Sequence, residues 1–217
     1  MPAGFLFLLR HPVGTSVAHN AKVETIFARR ARAKRFTKQQ ISLIVGSLLG
    51  DGHLMRTTAG YCFRVHHGLA QDSYVAWKYN ALRDFVRTPP TKCGRGCYFR
   101  TVSHPTLCLL AERFYRANSK TVPIDILEHA FDSYAFAVWI MDDGAADGRQ
   151  TRINTQCFAL EEVFRLSDFV ARRFGITMTV NFDKGRPRLR VAAASMELFR
   201  RLILPWILPQ FSYKVGA

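Results

Sequence analysis

Two aspartates, Asp51 and Asp143, occupy matching places in this 217-residue sequence, each one residue beyond an apolar stretch and directly before a glycine. Lys38 to Leu49 leads into Gly50-Asp51-Gly52, and Tyr134 to Met141 leads into Asp142-Asp143-Gly144. Both patterns predict a buried helix that ends in a left-handed glycine cap. A carboxylate there adds negative charge where the helix dipole is already negative. Two such ends side by side would leave two acids in repulsion unless a cation lay between them.

Magnesium is the cation that suits this pair, because it accepts one or two carboxylates together with phosphate oxygens and water. A magnesium ion held in this way can activate water and stabilise the leaving oxygen in phosphodiester hydrolysis. The candidate metal ligands are Asp51 and Asp143, with the adjoining Gly50 and Asp142. An Asp-Gly pair alone is typical of a plain turn, so the prediction rests on the two pairs being matched.

Two lysines also occupy matching places. Lys120 follows Asp51 by 69 residues, and Lys214 follows Asp143 by 71. A lysine beside a metal-bound phosphate can stabilise developing negative charge or assist proton transfer. The candidate catalytic residues are therefore Asp51, Asp143, Lys120 and Lys214.

The elements that must position these residues recur as well, which predicts an α+β fold built from a duplicated unit of helix, hairpin, helix, hairpin and helix. The predicted elements after Asp51 are a strand at Tyr61–His67, a helix at Ser73–Val86, a strand at Tyr98–Ser103 and a helix at Thr106–Ala117. Those after Asp143 are a strand at Thr151–Gln156, a helix at Leu160–Phe174, a hairpin at Thr177–Val191 and a helix at Met196–Leu204. The predicted division is a basic N-terminal extension (1–36), a first half (37–118), a linker (119–132) and a second half (133–217).

Basic and amide side chains alternate with apolar ones along the predicted strands, so each sheet has one core face and one polar face. An ordinary solvated face would mix acids with bases, whereas these faces hold almost no acid. Arginine pairs with guanine edges, asparagine and glutamine pair with adenine edges, and all three also contact phosphates. The predicted DNA-binding residues are Arg64, His66, Arg100, Arg152, Asn154, Gln156, Asn181, Arg186, Arg188 and Arg190.

The net charge of +15, from 31 lysines and arginines against 16 acids, also indicates a polyanionic partner. No apolar run approaches the ~20 residues that a membrane span needs. The five cysteines suggest no disulfide framework, which fits a reducing compartment. For residues 1–36, an organellar presequence, a phosphate-contacting arm and an unstructured start all remain open. The compartment, either an organelle or a bacterial cytoplasm, is left undecided.

Two nine-residue segments carry a family resemblance. Ile44–Gly52 and Phe136–Gly144 resemble the signature of the LAGLIDADG homing endonucleases. The likeness to the monomeric, two-motif branch of that family extends in order over about residues 37–215. It includes Lys120-Thr-Val-Pro123, Asn154-Thr-Gln156, Glu161-Glu-Val163 and Leu208-Pro-Gln with Tyr213-Lys214.

The resemblance implies a pseudo-twofold αββαββα fold with antiparallel β-sheet saddles in the DNA major groove. It implies that Asp51 and Asp143 bind Mg²⁺, with Mn²⁺ as a substitute, and that Lys120 and Lys214 act through water near the scissile phosphates. Asp142 replaces the small residue that is usual at its position, so it is interpreted as structural or auxiliary. The implied activity is site-specific double-strand cleavage by a monomer, with short 3′ overhangs, in the service of intron mobility.

Two other functions remain open, and both keep the same fold. One is a maturase that binds intron RNA and assists splicing, and the other is a DNA-binding protein without catalysis. Loss of an acid or a lysine would favour either, and all four residues are present. A zinc site formed by Cys93, Cys97, His104 and Cys108 is disfavoured because the spacing fits no familiar ligand pattern.

Overall fold

A computed structural model describes residues 25–117 and 119–216 of the chain. The helices of this part are α1 (Ile26–Ala33), α2 (Lys38–Leu49), α3 (Asp72–Leu82), α4 (Pro105–Phe114), α5 (Ile124–Ala130), α6 (Ser133–Asp143), α7 (Leu160–Phe174) and α8 (Met196–Ile203). Its strands are β1 (His53–Thr57), β2 (Gly60–Gly68), β3 (Thr91–Cys93), β4 (Gly96–Arg100), β5 (Tyr115–Arg116), β6 (Ser119–Lys120), β7 (Gly144–Asp147), β8 (Gln150–Ile153), β9 (Met178–Asp183) and β10 (Arg186–Val191).

The element order confirms the duplicated α+β fold. One half runs α2-β1-β2-α3-β3-β4-α4, and the other runs α6-β7-β8-α7-β9-β10-α8, so each has the order αββαββα. The four-stranded sheets have equivalent strand orders, β1-β2-β4-β3 and β7-β8-β10-β9, and all of their pairings are antiparallel. The two sheets have the same topology, and each follows a signature helix. The sequence repeat therefore corresponds to a repeated unit of structure.

The chain forms two compact units that differ from the sequence halves. Unit 1 contains the described residues up to Thr37 together with Gly52–Glu112. Unit 2 contains Lys38–Asp51 and the described residues from Arg113 onward. Unit 2 therefore includes both signature helices, α2 and α6. The division at about residue 118 follows the repeat rather than compactness, and it stays a prediction.

Each sheet buries one face, as the alternation predicts. In unit 1, Phe63, Val65 and Phe99 are buried, while Arg64 and His66 between them are not. In unit 2 the buried set is Ile153, Leu189 and Val191, and the arginines at 152, 188 and 190 alternate with it. All ten residues that the sequence assigned to DNA binding are half-buried or exposed. The hairpin turn at Lys184-Gly185 has φ of 50° and 76°, which matches the two-residue turn that twisted hairpins favour.

The predicted left-handed glycine caps are wrong. Neither Gly52 nor Gly144 has a positive φ, and Gly144 is extended (φ −71°, ψ 149°) and leads straight into β7. The requirement at Gly144 is space, because a Cβ atom there would lie 2.5 Å from the carbonyl oxygen of Ile140. A glycine is therefore needed at this helix end to let the chain pass directly from helix to strand.

The strand predicted over Thr151–Gln156 ends early, at Ile153. In the β8–β10 register Leu189 lies opposite Ile153, so Thr155 would come opposite Pro187. Proline has no backbone N–H to continue the ladder. The Thr155 hydroxyl instead donates to the Pro187 carbonyl oxygen at 3.0 Å. Burial still alternates beyond the strand, leaving Asn154 and Gln156 half-buried.

The sequence patterns missed several short elements, namely β1, β3, β7, α1, α5 and the β5–β6 hairpin. The hairpin replaces the end of the helix predicted over Thr106–Ala117, which stops at Phe114. Tyr115 pairs with Lys120 in it, and Ala117 adopts a left-handed φ of 45°. This two-residue ladder sets the position of Lys120, one of the candidate catalytic residues.

Helix α1 falls within the predicted basic extension, whose residues 1–24 lie outside the described part of the chain. The Arg32 side chain donates to the Ser103 carbonyl oxygen at 2.9 Å, and the Lys34 ammonium lies 2.9 Å from Asp84. The Phe36 ring stacks on Phe85. Within the described residues, no helix has both the length and the apolar character needed to cross a membrane.

Candidate active site

The two signature helices, α2 and α6, pack against each other within unit 2. Every residue of α2 from Ile41 to Leu49 is buried, and so is every residue of α6 from Tyr134 to Asp142. A methyl group at Gly46 would overlap the carbonyl oxygen of Ala135, so the two backbones are in direct contact there. Both helices run toward the acids that follow them. Close packing of these helices therefore brings their C-terminal ends together.

Two further contacts, one near each end, set the axial register of the two helices. Near the helix starts, Asp132 caps α6 by accepting from the Ala135 N–H, and it also accepts from the Ser42 hydroxyl of α2. Near the helix ends, a Cβ atom at Gly50 would lie 2.5 Å from the Cβ of Asp142. The glycine thus leaves the space that Asp142 fills, which supports the structural interpretation of Asp142.

The carboxyl group of Asp143 lies in an electrostatic conflict. Its pKa is raised to about 8, first by burial and then by the nearby Asp51 and Asp142 carboxylates, while Lys120 and Lys214 lower it. These interactions show that the structure brings all four predicted catalytic residues into one charged cluster. In the protein alone, Asp143 carries its negative charge at a considerable electrostatic cost.

The two lysines make equivalent contacts with the two signature helices. Lys120 donates to the Gly50 carbonyl oxygen at 2.6 Å. Lys214 donates to the carbonyl oxygens of Met141 and Asp142 at 2.6 and 3.2 Å. Gly50 and Asp142 hold the same place in their nonapeptides, so each lysine neutralises the negative end of one signature helix.

The lysines differ in their access to solvent. Lys214 is buried and lies 5.1 Å from the centre of the Phe211 ring, whereas Lys120 is only half-buried. Burial lowers the pKa of Lys120, and this effect is opposed by Cys157, Asp143, Asp142 and Asp51. Of the two, Lys120 is the better placed to reach a bound phosphate.

The acids fit a magnesium ion that is shared with a substrate. Among residues 25–117 and 119–216, no group of three or more His, Cys, Asp or Glu side chains is arranged to hold a metal ion. A metal centre here would therefore depend on Asp51, Asp143 and oxygens from outside the protein, which is how Mg²⁺ is bound beside phosphates. The repulsion that raises the pKa of Asp143 is the charge that such an ion would neutralise. The Gly50 and Asp142 carbonyl oxygens already accept from the lysines.

Cys157 is a residue of this cluster that the sequence analysis did not place there. The pKa of its thiol is raised, mainly by desolvation, and it interacts with Lys120, Asp143 and Asp51. Its position follows from the turn after β8, where the Asn154 N–H donates to the Asp143 carbonyl oxygen at 3.0 Å. This contact and the Thr155–Pro187 hydrogen bond are tertiary, so sequence spacing gave no signal for the position of Cys157.

The polar face of each sheet carries a directly opposed pair of arginines. Arg64 lies opposite Arg100 in unit 1, and Arg152 lies opposite Arg190 in unit 2. These positions are equivalent, because β2 and β4 hold the same places in one sheet as β8 and β10 in the other. Like charges at directly opposed positions destabilise a sheet. In unit 2 this repulsion is partly offset by Asp147, which lies 3.1 Å from Nε of Arg190, and the remaining positive charge of both pairs suits an anionic ligand.

The two lysines give a testable contrast. Lys120→Met should lower DNA cleavage at least about 100-fold with a small change in thermal midpoint, because the side chain lies at the edge of the cluster. Lys214→Met should lower the thermal midpoint more strongly, because it leaves two buried carbonyl oxygens without their donor. Single-turnover cleavage and thermal unfolding of both variants check this. Equal losses of stability would contradict it.

A family comparison identifies the same architecture. The model of the LAGLIDADG DNA endonuclease family matches residues 41–199, which is well over half of the chain. The solved structure of the homing endonuclease I-WcaI bound to its DNA recognition sequence has the same fold, with a TM-score of 0.80. The similarity covers 92% of this chain and 94% of that one, at 22% sequence identity.

Curated relatives include an endonuclease and a maturase. The DNA endonuclease I-ChuI of Chlamydomonas applanata is 28% identical over 209 residues, covering 83% of this chain and 95% of that protein. The cytochrome b mRNA maturase bI2 of Saccharomyces cerevisiae is 26% identical over 202 residues, covering 81% of this chain. The chain spans about half of that maturase, 47% of its length. The duplicated αββαββα fold, the paired signature helices and the family match together show that this chain belongs to the LAGLIDADG DNA endonuclease family.

Proposed function

We propose that this chain is a homing endonuclease that makes a double-strand break at a long DNA site by Mg²⁺-dependent hydrolysis. The observation that carries the proposal is the cluster of Asp51, Asp143, Lys120 and Lys214 at the joined ends of the two signature helices. Since both acids belong to one chain and one compact unit, the chain would act as a monomer. The implied role is the mobility of an intron that encodes it.

Each group of residues would have a separate role in binding or cleavage. Asp51 and Asp143 would hold the metal, which when bound supplies a Lewis acid for the scissile phosphate. Lys120 lies at the edge of the cluster, where its ammonium group would stabilise negative charge developing on the phosphate oxygens. Lys214 stays on the carbonyl oxygens of α6 and keeps that helix end in place. The arginine-rich sheet faces would fix the duplex through phosphates and base edges.

A cleavage selection tests the proposal. A pool of circular duplexes with randomised inserts is incubated with the purified protein in Mg²⁺, and the ends of linear products are sequenced. The expected result is one enriched site with short 3′ overhangs, linearised in Mg²⁺ or Mn²⁺ and intact in EDTA. The absence of any linear product in either metal would overturn the proposal.

The maturase is the second candidate, and the similarity to the yeast cytochrome b mRNA maturase favours it. The same basic faces could bind intron RNA, and salt-sensitive binding alone would not separate the two functions, because any strongly basic protein shows it. Stimulation of splicing of the surrounding intron, without cleavage of any DNA, would assign the maturase function instead.

A further inference from the structure

The polar face of the unit 2 sheet carries two carboxylates, and each lies against an arginine. Asp183 Oδ1 is 2.8 Å from an Nη atom of Arg188, and Asp147 Oδ2 is 3.1 Å from Nε of Arg190. The four strands of the unit 1 sheet, in contrast, contain no aspartate or glutamate. The two sheets share a topology but differ in whether their arginines are held by acids.

These carboxylates are unfavourable for a surface that meets a polyanion. Each adds repulsion toward phosphates and cancels one unit of the positive charge that attracts DNA. Asp147 offsets part of the repulsion between Arg190 and the opposed Arg152, but no opposed arginine pair explains Asp183. General attraction to DNA therefore does not account for an acid at position 183.

The ion pair of Asp183 is not with the arginine directly opposite in the register. Asp183 lies directly opposite Arg186, yet its ion pair is with Arg188, one diagonal step away on the same face. Diagonal neighbours of this kind lie within reach of long side chains. Arg188 is left only 17% exposed, whereas Arg186 is exposed and has no ion-pair partner among the described residues. One arginine of the strand is thus paired with a carboxylate, while its neighbour is exposed and unpaired among the described residues.

A guanidinium group that is paired with a carboxylate recognises DNA differently from an unpaired one. An unpaired arginine loses rotamer entropy on binding and can follow phosphates of any sequence. An arginine fixed on one side by a carboxylate presents its remaining N–H groups in a set direction, as bidentate pairing with guanine O6 and N7 requires. The fixed geometry lowers the entropy lost on binding and penalises a wrong base.

We propose that Asp183 is a positioning residue for specificity, which directs Arg188 toward a guanine edge and makes the unit 2 sheet the more discriminating of the two. This inference rests on the proposed DNA-binding function. Asp147 is left out of it, because Nε of Arg190, although 3.1 Å from Asp147 Oδ2, has no hydrogen-bond partner among the described residues.

The test uses a pool of randomised DNA duplexes, selected for binding in EDTA so that no cleavage occurs. Asp183→Asn should reduce the preference for guanine at one position of the selected site by about tenfold, leaving other positions unchanged. The same variant should bind non-specific duplex DNA more tightly, with a salt dependence steeper by about one phosphate contact. Arg188→Lys should lose the same preference while keeping the charge, because lysine lacks the planar fork.

Asp168→Asn is the matched control, since it removes an exposed carboxylate from α7 in the same unit. It should leave the selected sequence unchanged. If Asp183→Asn selects the same sequence as the unmodified protein, or matches the Asp168 variant in both assays, the inference is wrong and the endonuclease proposal still stands. If the unmodified protein itself selects no sequence, the proposed function fails instead.

Discussion

Asp51→Asn and Asp143→Asn are each expected to lower the rate of DNA cleavage at least about 1,000-fold while leaving the affinity for target DNA within about threefold. The loss is large because each variant removes one of the two carboxylates that would hold the metal ion in the proposed centre. Binding should persist because the proposed DNA-binding residues lie on the sheets. Single-turnover cleavage in Mg²⁺ and binding titrations in EDTA measure the two quantities separately.

Asp168→Asn serves here too as a control for the loss of one negative charge in unit 2. Its cleavage rate should stay within about twofold of that of the unmodified protein, since surface substitutions away from a site are close to neutral. Substantial cleavage by the Asp51 or Asp143 variant would remove that residue from the proposed centre. Loss of DNA binding in either variant would show that the change acts through the fold.

Asp143→Asn is also expected to stabilise the folded protein in the absence of metal, although it lowers the cleavage rate. The folded protein holds the Asp143 proton with a pKa of about 8, against an ordinary value of 3.8. The contribution of this group to stability is therefore fully present below about pH 4 and is lost as the pH rises through 8. In EDTA at pH 8, Asp143→Asn should raise the thermal midpoint by about 2–4 °C, because the amide removes a buried charge. A lower midpoint would show that the charge of Asp143 does not destabilise the folded protein.

Gly46→Ala is the other change with a large expected effect. The added methyl group would meet the Ala135 carbonyl oxygen, which belongs to rigid helix backbone and has little freedom to move away. Overpacking of this kind costs about 1–3 kcal/mol and occasionally more, and we expect the upper end here. The added methyl group forces the two helices apart, which also separates the two acids. The cleavage rate should therefore fall by more than the loss of folded protein explains.

Gly68→Ala is the matched control for this substitution. Among the described residues, the nearest neighbour of a Cβ added at Gly68 is the Arg95 carbonyl oxygen at 4.0 Å, and the φ of Gly68 is not positive. Thermal unfolding and cleavage at a permissive temperature should show little change in this variant. If Gly46→Ala were equally harmless, the close packing of α2 on α6 would not be what places the acids.

The helix pair also shows why the two signature segments differ. Gly46 and Gly50 in the first nonapeptide correspond to Val138 and Asp142 in the second. A methyl group at Gly46 would lie 3.0 Å from the Val138 Cβ, and one at Gly50 would meet Asp142. Small residues at these two places of the first segment therefore leave room for larger ones of the second.

Regular elements with strong periodicity could be predicted from the sequence. Helices α2 and α7 begin and end at the predicted residues, because apolar residues every three to four positions are a local signal of the sequence. Strand β8 ended early because Pro187 lies on the neighbouring strand, far away in the chain. The hairpin that holds Lys120 has two residues in each strand, which is too short for any periodicity to show.

The sequence by itself determined the chemistry of this protein: two Asp-Gly pairs after apolar helices, two lysines at matching distances, and polar strand faces rich in arginine. These features are patterns of residue type and spacing, which the chain carries before it folds. Only the tertiary structure decided that Lys214 is buried while Lys120 is half-buried, that Cys157 joins the acids, and that Asp183 holds Arg188. Such contacts join residues through backbone geometry in three dimensions, and no local pattern encodes them.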